Sequence, residues 1–533
     1  MEHACRKVVA AAGAAALGTT VLLAAGPTAS AKQARELTPG RVGTLTVRQV
    51  EQGLKAREFR CVDLVKAYLG RIAAYDKKGP ALNAVIHTNP HALAQAKAID
   101  TRLGKRGKSV GLRPAECLPV VVKDVVNTTD MPTTQGSEAF KDWVPEKNAT
   151  IIETLESKGA IVLAKTNLDD FAAAVYGISS LTGAMRNPYD VTRTVGGSSG
   201  GSASAVAAGY APLAFGTDTG GSLRIPAALT GVVTIRPTVG LVSRTGIFPR
   251  ALSQDTAGPI AADVRSAAKG LDLVAGYDPA DPVTARGVGH VPAAGYAAAA
   301  KGGRLDGMRI GLVAGGLAIW GDQPAGPVVA LLKQAAADLE KRGATVVPLT
   351  GPDRTMLGDS SVITMESRRD VDAFLKAQGP GVPMASFKEL YDSGAYTPYA
   401  KESYDREIQV DPAALSTNLA YQRSLTERLA LQDWTLDTMA AHDLTAIAYP
   451  AAAQTADLIG KEQAGLFSRW SENTGFPAIT VPMGYAASST GTQMPADIEF
   501  LGRPFAESRI IGVASAYETA THKRRLPSLP AIP

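Results

Sequence analysis

The sequence of 533 residues has few cysteines, few histidines and no marked excess of either charge. Its 3 cysteines and 6 histidines are scattered and form none of the spacings typical of a zinc site, such as CxxC or HExxH. Lys and Arg outnumber Asp and Glu by only 55 to 50, which argues against a nucleic-acid binder. With 45% hydrophobic residues, the chain is too apolar to be disordered. The composition therefore predicts a globular protein without a metal site or a nucleic-acid partner.

The one long uncharged run lies at the N-terminus. The positive pair Arg6 and Lys7 precedes apolar and small residues over 8–26, and residues 29–31 (Ala-Ser-Ala) have the form of a signal-peptidase site. This order predicts a signal peptide over 1–31, and hence a secreted protein with no stable membrane association. A membrane anchor is the alternative, because the run is long enough to span a bilayer.

Two cysteines remain beyond this segment, Cys61 and Cys117. Export permits a disulfide between them, but the sequence does not show whether they lie close together. Two cysteines cannot be the main scaffold of a chain this long, so the pairing stays open.

Hydrophobic periodicity predicts helices alternating with buried strands, which indicates an α/β protein. A capping box formed by Thr46 and Gln49 begins the first helix. Residues 308–349 read as strand, helix and strand, a βαβ unit that implies parallel pairing. The polar, Pro/Gly-rich stretch over 356–412 predicts a cap or insertion. Predicted helices cover 46–57, 62–75, 91–103, 149–158, 203–209, 327–341 and 510–521, and predicted strands cover 118–122, 161–164, 344–349, 444–449, 478–481 and 497–501.

Two glycine-serine turns carry the strongest functional signal. Residues 195–202 read VGGSSGGS and residues 216–222 read GTDTGGS, so that Ser198 and Ser222 are 222 − 198 = 24 positions apart. Glycines allow sharp backbone turns, and the converging amides of such turns suit a phosphate or an oxyanion. Phosphate binding is disfavoured because the sequence has no GxxxxGK[ST] pattern.

A serine in these turns could act in two ways. Residues 196–200 match GxSxG, the nucleophile elbow of α/β-hydrolases, with Ser198 as nucleophile. The elbow needs a buried strand before it, for which 190–194 is a poor candidate. It also needs a downstream histidine, which His290, His442 or His522 could supply.

The second possibility is a serine activated by another serine and by a lysine that burial keeps neutral. Lys123 fits this role, because it closes the apolar run Leu118–Val122. Taken alone, Lys123 reads more simply as an ordinary strand-end lysine in a surface ion pair.

The spacing of these residues resembles the amidase signature family. That family has a GGSSGGS turn, a DTGGS turn 24 residues later and a lysine about 75 residues before the first turn, and here 198 − 123 = 75. The resemblance covers about 44–525 and is weakest over about 280–440. Further matching segments are Leu118–Asp124, Lys165–Leu168, Arg186–Asp190, Arg236–Arg244, Gln254–Pro259, Gly475–Gly484 and Glu499–Phe505.

The resemblance implies one catalytic domain over 32–533, an α/β fold with a large, mixed, mostly parallel sheet covered by helices. It also implies a Ser-Ser-Lys triad that needs no metal or cofactor. In that triad, Ser222 is the acyl nucleophile, Ser198 relays the proton from a cis peptide and Lys123 is the final base. The backbone amides of Thr219, Gly220 and Gly221 would form the oxyanion hole. Asp218 and Arg224 would form an ion pair that shapes the turn, with a substrate contact as the alternative.

These residues predict a secreted amidase that acts on a peptide C-terminal amide, an aryl amide or an aliphatic amide. Matches at 239–244 and 254–259 are most similar to the bacterial peptide-amidase and acylamidase branch. A tRNA-amidating enzyme component is disfavoured by the predicted export and the weak charge. The competing hypotheses are a serine esterase that uses Ser198 and a catalytically inactive binding protein with the same fold.

Overall fold

The computed structural model describes residues 37–105, 111–314, 326–466 and 469–532, and its strands form one large sheet. The predicted signal peptide lies outside the described residues. From Leu37 onward, the described residues form one compact unit. The strands of the large sheet are β1 (Val85–Thr88), β2 (Pro119–Lys123), β3 (Ile161–Thr166), β6 (Leu213–Asp218), β7 (Val233–Arg236), β8 (Thr256–Ala261), β9 (Arg309–Leu312), β10 (Thr345–Pro348), β11 (Ala446–Pro450), β12 (Ala478–Ala487) and β13 (Gln493–Leu501), and a separate small ribbon pairs β4 (Ile178–Ser179) with β5 (Gly183–Ala184).

Helices cover the sheet, and most of those predicted from periodicity occur within a few residues of the expected bounds. The capping box at Thr46 and Gln49 is confirmed. The helices are α1 (Pro39–Val42), α2 (Val47–Lys55), α3 (Cys61–Tyr75), α4 (Ala92–Lys105), α5 (Thr150–Ser157), α6 (Gly200–Ala207), α7 (Arg224–Thr230), α8 (Val264–Val274), α9 (Gly326–Lys341), α10 (Arg354–Asp359), α11 (Ile363–Ala377), α12 (Phe387–Ser393), α13 (Pro398–Glu407), α14 (Leu419–Ala441), α15 (Arg469–Thr474) and α16 (Glu507–Thr521), with short 3-10 turns at Glu138–Phe140, Asp170–Ala172, Pro282–Gly287, Tyr296–Ala298 and Pro412–Thr417.

The α/β fold and the mixed sheet are confirmed, but the pairing is not mostly parallel. The strand order is β1-β3-β2-β6-β8-β7-β12-β13-β11-β9-β10. Only β2 with β3, β2 with β6, β9 with β10 and β9 with β11 run parallel, whereas the other neighbouring pairs are antiparallel. The crossover through α9 makes β9 and β10 parallel, as the βαβ pattern over 308–349 predicts, and the crossover through α5 makes β2 and β3 parallel. The centre of the sheet is antiparallel because β12 and β13 form a hairpin and β8 runs opposite to both of its neighbours.

Three strands of the sheet bring the two glycine-serine turns to one place. Every residue of β2, β3 and β6 is buried, as expected for strands with helices on both faces. Lys123 is the last residue of β2, and Asp218 is the last residue of β6. Because β2 and β6 are parallel neighbours, their carboxyl ends meet at the same edge of the sheet.

The predicted cap over 356–412 is helical: α11, α12 and α13 lie within it, α10 begins two residues before it, and the 3-10 turn Pro412–Thr417 begins at its last residue. It is joined to the body by buried polar contacts rather than by an apolar face alone. Arg250 pairs with Glu407 on α13, and the Asp370 carboxylate on α11 accepts from the backbone N–H of Leu252 at 2.7 Å. Residues 250–255 therefore connect the cap to the edge of the sheet where Lys123 lies.

The question of the cysteine pair is answered by the structure, in which Cys61 and Cys117 form a disulfide with their Cα atoms 5.7 Å apart. The bond joins the first residue of α3 to the turn that enters β2. Within the described ranges, no helix is both long and apolar enough to cross a membrane.

Candidate active site

Lys123 lies fully buried at the end of β2 and contacts one of the two predicted serines. Its Nζ donates to Ser198 Oγ at 2.7 Å and to Thr217 Oγ1 at 2.8 Å. Burial lowers the pKa of Lys123 to about 7, although the negative charges of Asp169, Asp218 and Asp255 oppose that shift. A neutral amine is therefore well populated near neutral pH, and Lys123 is not a surface ion-pair residue.

Ser198 lies in the first glycine-serine turn, two residues before α6, and the Gly197–Ser198 peptide bond is cis. The next residue, Ser199, ties the two turns together. The Ser199 N–H donates to the Ser222 carbonyl at 3.1 Å, and the Ser199 Oγ donates to the Thr217 carbonyl at 3.1 Å. The predicted meeting of the two turns is thus observed in the fold, although 24 residues separate the serines.

Ser222 lies at the second turn, between the end of β6 and the start of α7. The Asp218 carboxylate fixes this turn, because it accepts from the backbone N–H of Gly221 at 2.9 Å and of Leu223 at 3.1 Å. Gly221 has a φ of 101°, a conformation that favours glycine. One of the three amides expected to face an oxyanion, that of Gly221, is therefore engaged by Asp218 in this structure.

The expected Asp218–Arg224 ion pair is present, with Arg224 Nε 3.0 Å from Asp218 Oδ2. Arg224 also pairs with Glu472 and Glu499, each at 3.0 Å. Burial alone would raise the pKa of Asp218, but the charges of Arg224 and Arg236 hold it well below its usual range. Both members of the predicted pair are fully buried and neither lines the neighbouring cavity, so their place in the structure is the ion pair and not a substrate contact.

Sequence reasoning did not single out the residues that hold Thr219. The Thr219 hydroxyl donates to Asp255, and Gln254 Nε2 donates to the Thr219 carbonyl at 3.1 Å. Burial raises the pKa of Asp255 to about 6. Gln254 and Asp255 lie in a segment that resembles the family, but their pairing with Thr219 depends on the contact between β6 and β8.

A cavity of about 650 Å³ opens over the second turn, and Thr219, Gly220 and Ser222 form part of its wall. Residues 172–176 form a second part of the wall. The cap supplies much of the rest, including Ile363 and Tyr399. The rings of Tyr176 and Tyr399 stack with centroids 4.1 Å apart and join the body to the cap at one side of the cavity.

The esterase hypothesis is not supported by this geometry. The segment 190–194, which the elbow would require as a strand, contains no strand, and Ser198 contacts a lysine rather than a histidine. No histidine is among the residues that line the cavity in the described part of the chain. His290 instead stacks on Phe505, 4.2 Å away between ring centroids.

Among the residues that the structure describes, no group of three or more His, Cys, Asp or Glu side chains is arranged so that it could hold a metal ion. The polar groups of the site are instead lysine, serine, threonine and backbone amides. These groups suit proton transfer and nucleophilic attack by a serine.

Known proteins with a similar sequence or fold include several amidases. The chain is 34% identical to the peptide amidase of Stenotrophomonas maltophilia, with a TM-score of 0.81 over 92% of this chain and 99% of that one. It is 29% identical to an amidase family protein of Bacillus anthracis, with a TM-score of 0.78 over 92% and 93%. It is also 33% identical to a glutamyl-tRNA(Gln) amidotransferase component of Ralstonia nicotianae, over 90% of this chain and 99% of the relative. The amidase family profile matches residues 63–511, and the chain therefore belongs to the amidase signature family.

Proposed function

We propose that the protein hydrolyses a carboxamide through an acyl-enzyme, with Ser222 as nucleophile, Ser198 as proton relay and Lys123 as base. The observation that carries this proposal is the buried contact of Lys123 Nζ with Ser198 Oγ, beside a turn whose Ser222 faces a large cavity. An amide is a weak electrophile with a basic leaving group. It therefore needs an activated nucleophile and a proton source for the departing nitrogen.

In the proposed reaction, the 2.7 Å contact between Lys123 and Ser198 serves in both directions. The neutral amine accepts the Ser198 proton while Ser198 accepts the proton of Ser222. The Ser222 Oγ then forms a bond to the amide carbon. When the tetrahedral intermediate collapses, the proton returns through Ser198 to the leaving nitrogen and the carbon–nitrogen bond breaks. Water attacks the acyl-enzyme by the same proton route and releases the acid.

The oxyanion of the intermediate is assigned to the second turn, without the Gly221 amide, which Asp218 already binds. Asp218 accepts from the Gly221 amide and fixes the turn before the substrate binds. The Thr219 side chain is held by Asp255 and its carbonyl by Gln254. Preorganised donors of this kind need no rearrangement during the reaction, and one such donor is typically worth about 100- to 1000-fold in rate.

The size of the cavity favours a substrate with a bulky acyl group over one with a small aliphatic acyl group. A volume of about 650 Å³ falls within the range that holds ligands of drug or short-peptide size. The peptide amidase of Stenotrophomonas maltophilia, which shares the fold at 34% identity, makes a peptide C-terminal amide the first substrate to test. Aryl and simple aliphatic amides are the alternatives.

A second candidate function is amide transfer from a donor such as glutamine. It is favoured by curated relatives such as the glutamyl-tRNA(Gln) amidotransferase component of Ralstonia nicotianae. Ammonia release from L-glutamine, measured beside the other amides, separates the two functions. A clear preference for glutamine over a peptide amide would favour the second.

We also propose that the protein is secreted after cleavage of the signal peptide over 1–31. The Cys61–Cys117 disulfide supports this proposal, because such bonds persist in oxidising compartments. N-terminal sequencing of protein from the culture medium tests it, and the expected first residue is Lys32. Protein recovered only from cells, with Met1 intact, would contradict export.

The decisive experiment compares the purified protein with two serine variants on a panel of a peptide amide, an aryl amide, an aliphatic amide and L-glutamine. Ser222→Ala should abolish hydrolysis and labelling by a fluorophosphonate. The matched control is Ser204→Ala, because Ser204 is buried in α6 and its hydroxyl donates to a backbone carbonyl, that of Arg186, at 3.2 Å. This control should retain activity. A fluorophosphonate adduct on Ser198, together with loss of activity on replacing one histidine, would establish the esterase mechanism instead.

A further inference from the structure

Asp169 is a buried carboxylate beside the site that the proposed reaction does not use. It follows β3 and begins the loop over 169–178, whose residues 172–176 line the cavity. Its Oδ1 accepts from the backbone N–H groups of Tyr176 at 2.8 Å and Gly177 at 2.9 Å. One oxygen of this side chain therefore holds a wall of the cavity.

The other oxygen of Asp169 faces the turn that carries Ser198. A Cβ atom added to Gly197 would overlap Asp169 Oδ2, so this carboxylate lies directly against the residue before Ser198. Oδ2 is buried and has no hydrogen-bond partner within the described residues. A buried carboxylate oxygen without a hydrogen bond is costly, and a neighbouring positive charge is the usual compensation.

We propose that Asp169 is a positioning residue for the Lys123–Ser198 pair. The negative charge of Asp169 stabilises the ammonium form of Lys123 while Lys123 holds the nucleophile's proton. The proposal rests on the proposed function. The carboxylate acts through the lysine and the turn, and it does not touch the reacting atoms.

The charges around Lys123 single out Asp169 among its acidic neighbours. Asp218 is already paired with Arg224 and Arg236, and Asp255 accepts from the Thr219 hydroxyl and from the Arg250 backbone. Three negative charges raise the pKa of Lys123 against the effect of burial, and the charge of Asp169 has the largest effect.

Burial acts on the two groups in opposite directions. It lowers the pKa of Lys123 to about 7 and raises the pKa of Asp169 to about 7. Because opposite charges attract, either group, when charged, favours the charged form of the other. Removal of the carboxylate should lower the pKa of Lys123, because the ammonium form loses its counter-charge. The lysine then becomes neutral at a lower pH but is a weaker base.

The test is the pH dependence of fluorophosphonate labelling of Ser222, which needs no knowledge of the substrate. In Asp169→Asn, which keeps the acceptor for the loop amides, the maximal labelling rate should fall about 10- to 100-fold. The rising limb of the profile should move about one pH unit lower. The matched control is Asp170→Asn, because Asp170 is a buried carboxylate of the same loop that accepts from Ser180 and Thr397. Its limb should stay in place.

The outcomes separate this proposal from the proposed function. A wild-type protein that is not labelled at Ser222 at any pH contradicts the proposed function. A labelled wild type whose rising limb is the same in Asp169→Asn overturns the role of Asp169 alone. A fall in rate without a shift of the limb assigns Asp169 to holding the loop only.

A double variant keeps the test decisive if Asp169→Asn does not fold. At a pH below the lowered pKa of Lys123, the proposal attributes the instability to this lysine, which is left as an uncompensated buried cation. Asp169→Asn combined with Lys123→Met should therefore fold again, as judged by its thermal unfolding. Failure of the double variant to fold would show that the loop contacts, and not the charge, are what Asp169 contributes.

Discussion

The turn that bears Ser222 and the cap that faces it across the cavity differ in burial and in polar contacts. Around the turn, Asp218, Arg224 and Thr219 are buried and each is bound by several partners. In the cap, the Glu402–Arg406 pair at the cavity is more than half exposed at both side chains. The difference indicates that the turn is held rigidly, whereas the exposed cap side chains at the cavity can vary without disturbing it.

The largest difference between the turn and the cap is expected when the predicted catalytic residues are replaced. Ser222→Ala and Lys123→Ala should each lower turnover at least about 1000-fold, because the nucleophile or its base is removed. The residual activity of Lys123→Ala should move to higher pH. Ser198→Ala should be severe but should leave slow labelling of Ser222. The measurement is kcat/KM on the best amide of the panel, and retention of full activity by Lys123→Ala would break the comparison.

Arg224→Met should cause the next largest effect, through stability. The substitution leaves Asp218, Glu472 and Glu499 buried without their shared cation, which costs about 3–5 kcal/mol. Chemical denaturation measures the loss. Lys388→Met, which removes an exposed ion pair with Asp392, should cost less than about 1 kcal/mol. Equal losses in both variants would contradict the rigid character assigned to the turn.

The pH profile of wild-type activity should reflect the titration of buried Lys123 and should not depend on the cap. In the proposed mechanism activity requires neutral Lys123, whose pKa burial lowers to about 7, so kcat/KM should fall about tenfold for each pH unit below that value and level off above it. Profiles measured on a large and a small amide should share this limb, because within the described residues Lys123 donates to Ser198 and Thr217 of the body and not to the cap. A limb that depends on the substrate would place its origin in the cavity wall instead.

The smallest effect is expected at the cap. Tyr399→Ala removes the ring that stacks on Tyr176, which should raise KM about tenfold for a bulky amide and leave kcat for a small amide nearly unchanged. Tyr391→Ala, on α12 and outside the cavity lining, is the matched control and should change neither. A large loss of kcat in Tyr399→Ala on the small amide would show that the cap also orders the catalytic side.

The same division explains what the sequence can predict. The turns are identifiable because glycine, serine and a strand-end lysine recur at fixed spacing, and Lys123 lies against Ser198 as that spacing implies. The direction of the central strands is not predictable in this way, because β8 contains Gly258 and Pro259, which resemble a loop rather than a strand. Thr217 and Asp169 are missed for another reason. Their importance depends on contacts between segments, and a single sequence contains no signal for those contacts.

The cap shows most clearly which contacts cannot be predicted from the sequence. Its helices are polar and partly exposed, so their periodicity is weak, and the stretch over 356–412 resembles an insertion. Its contacts with the body arise from pairs such as Arg250 with Glu407, which are 157 residues apart. Both partners are common surface residue types, and only the folded structure shows that they meet in the interior.

The ion-pair cluster around Arg224 also constrains the order in which the molecule can mature. Its acidic partners Asp218, Glu472 and Glu499 are separated from it by 6, 248 and 275 positions in the chain. A chain that has not yet been synthesised through Glu499 contains both serines and the lysine but cannot complete the cluster that supports their turn. The active conformation is therefore a late product of folding. Truncation before Glu499 should therefore inactivate the protein from a distance, although Lys123, Ser198 and Ser222 would all remain.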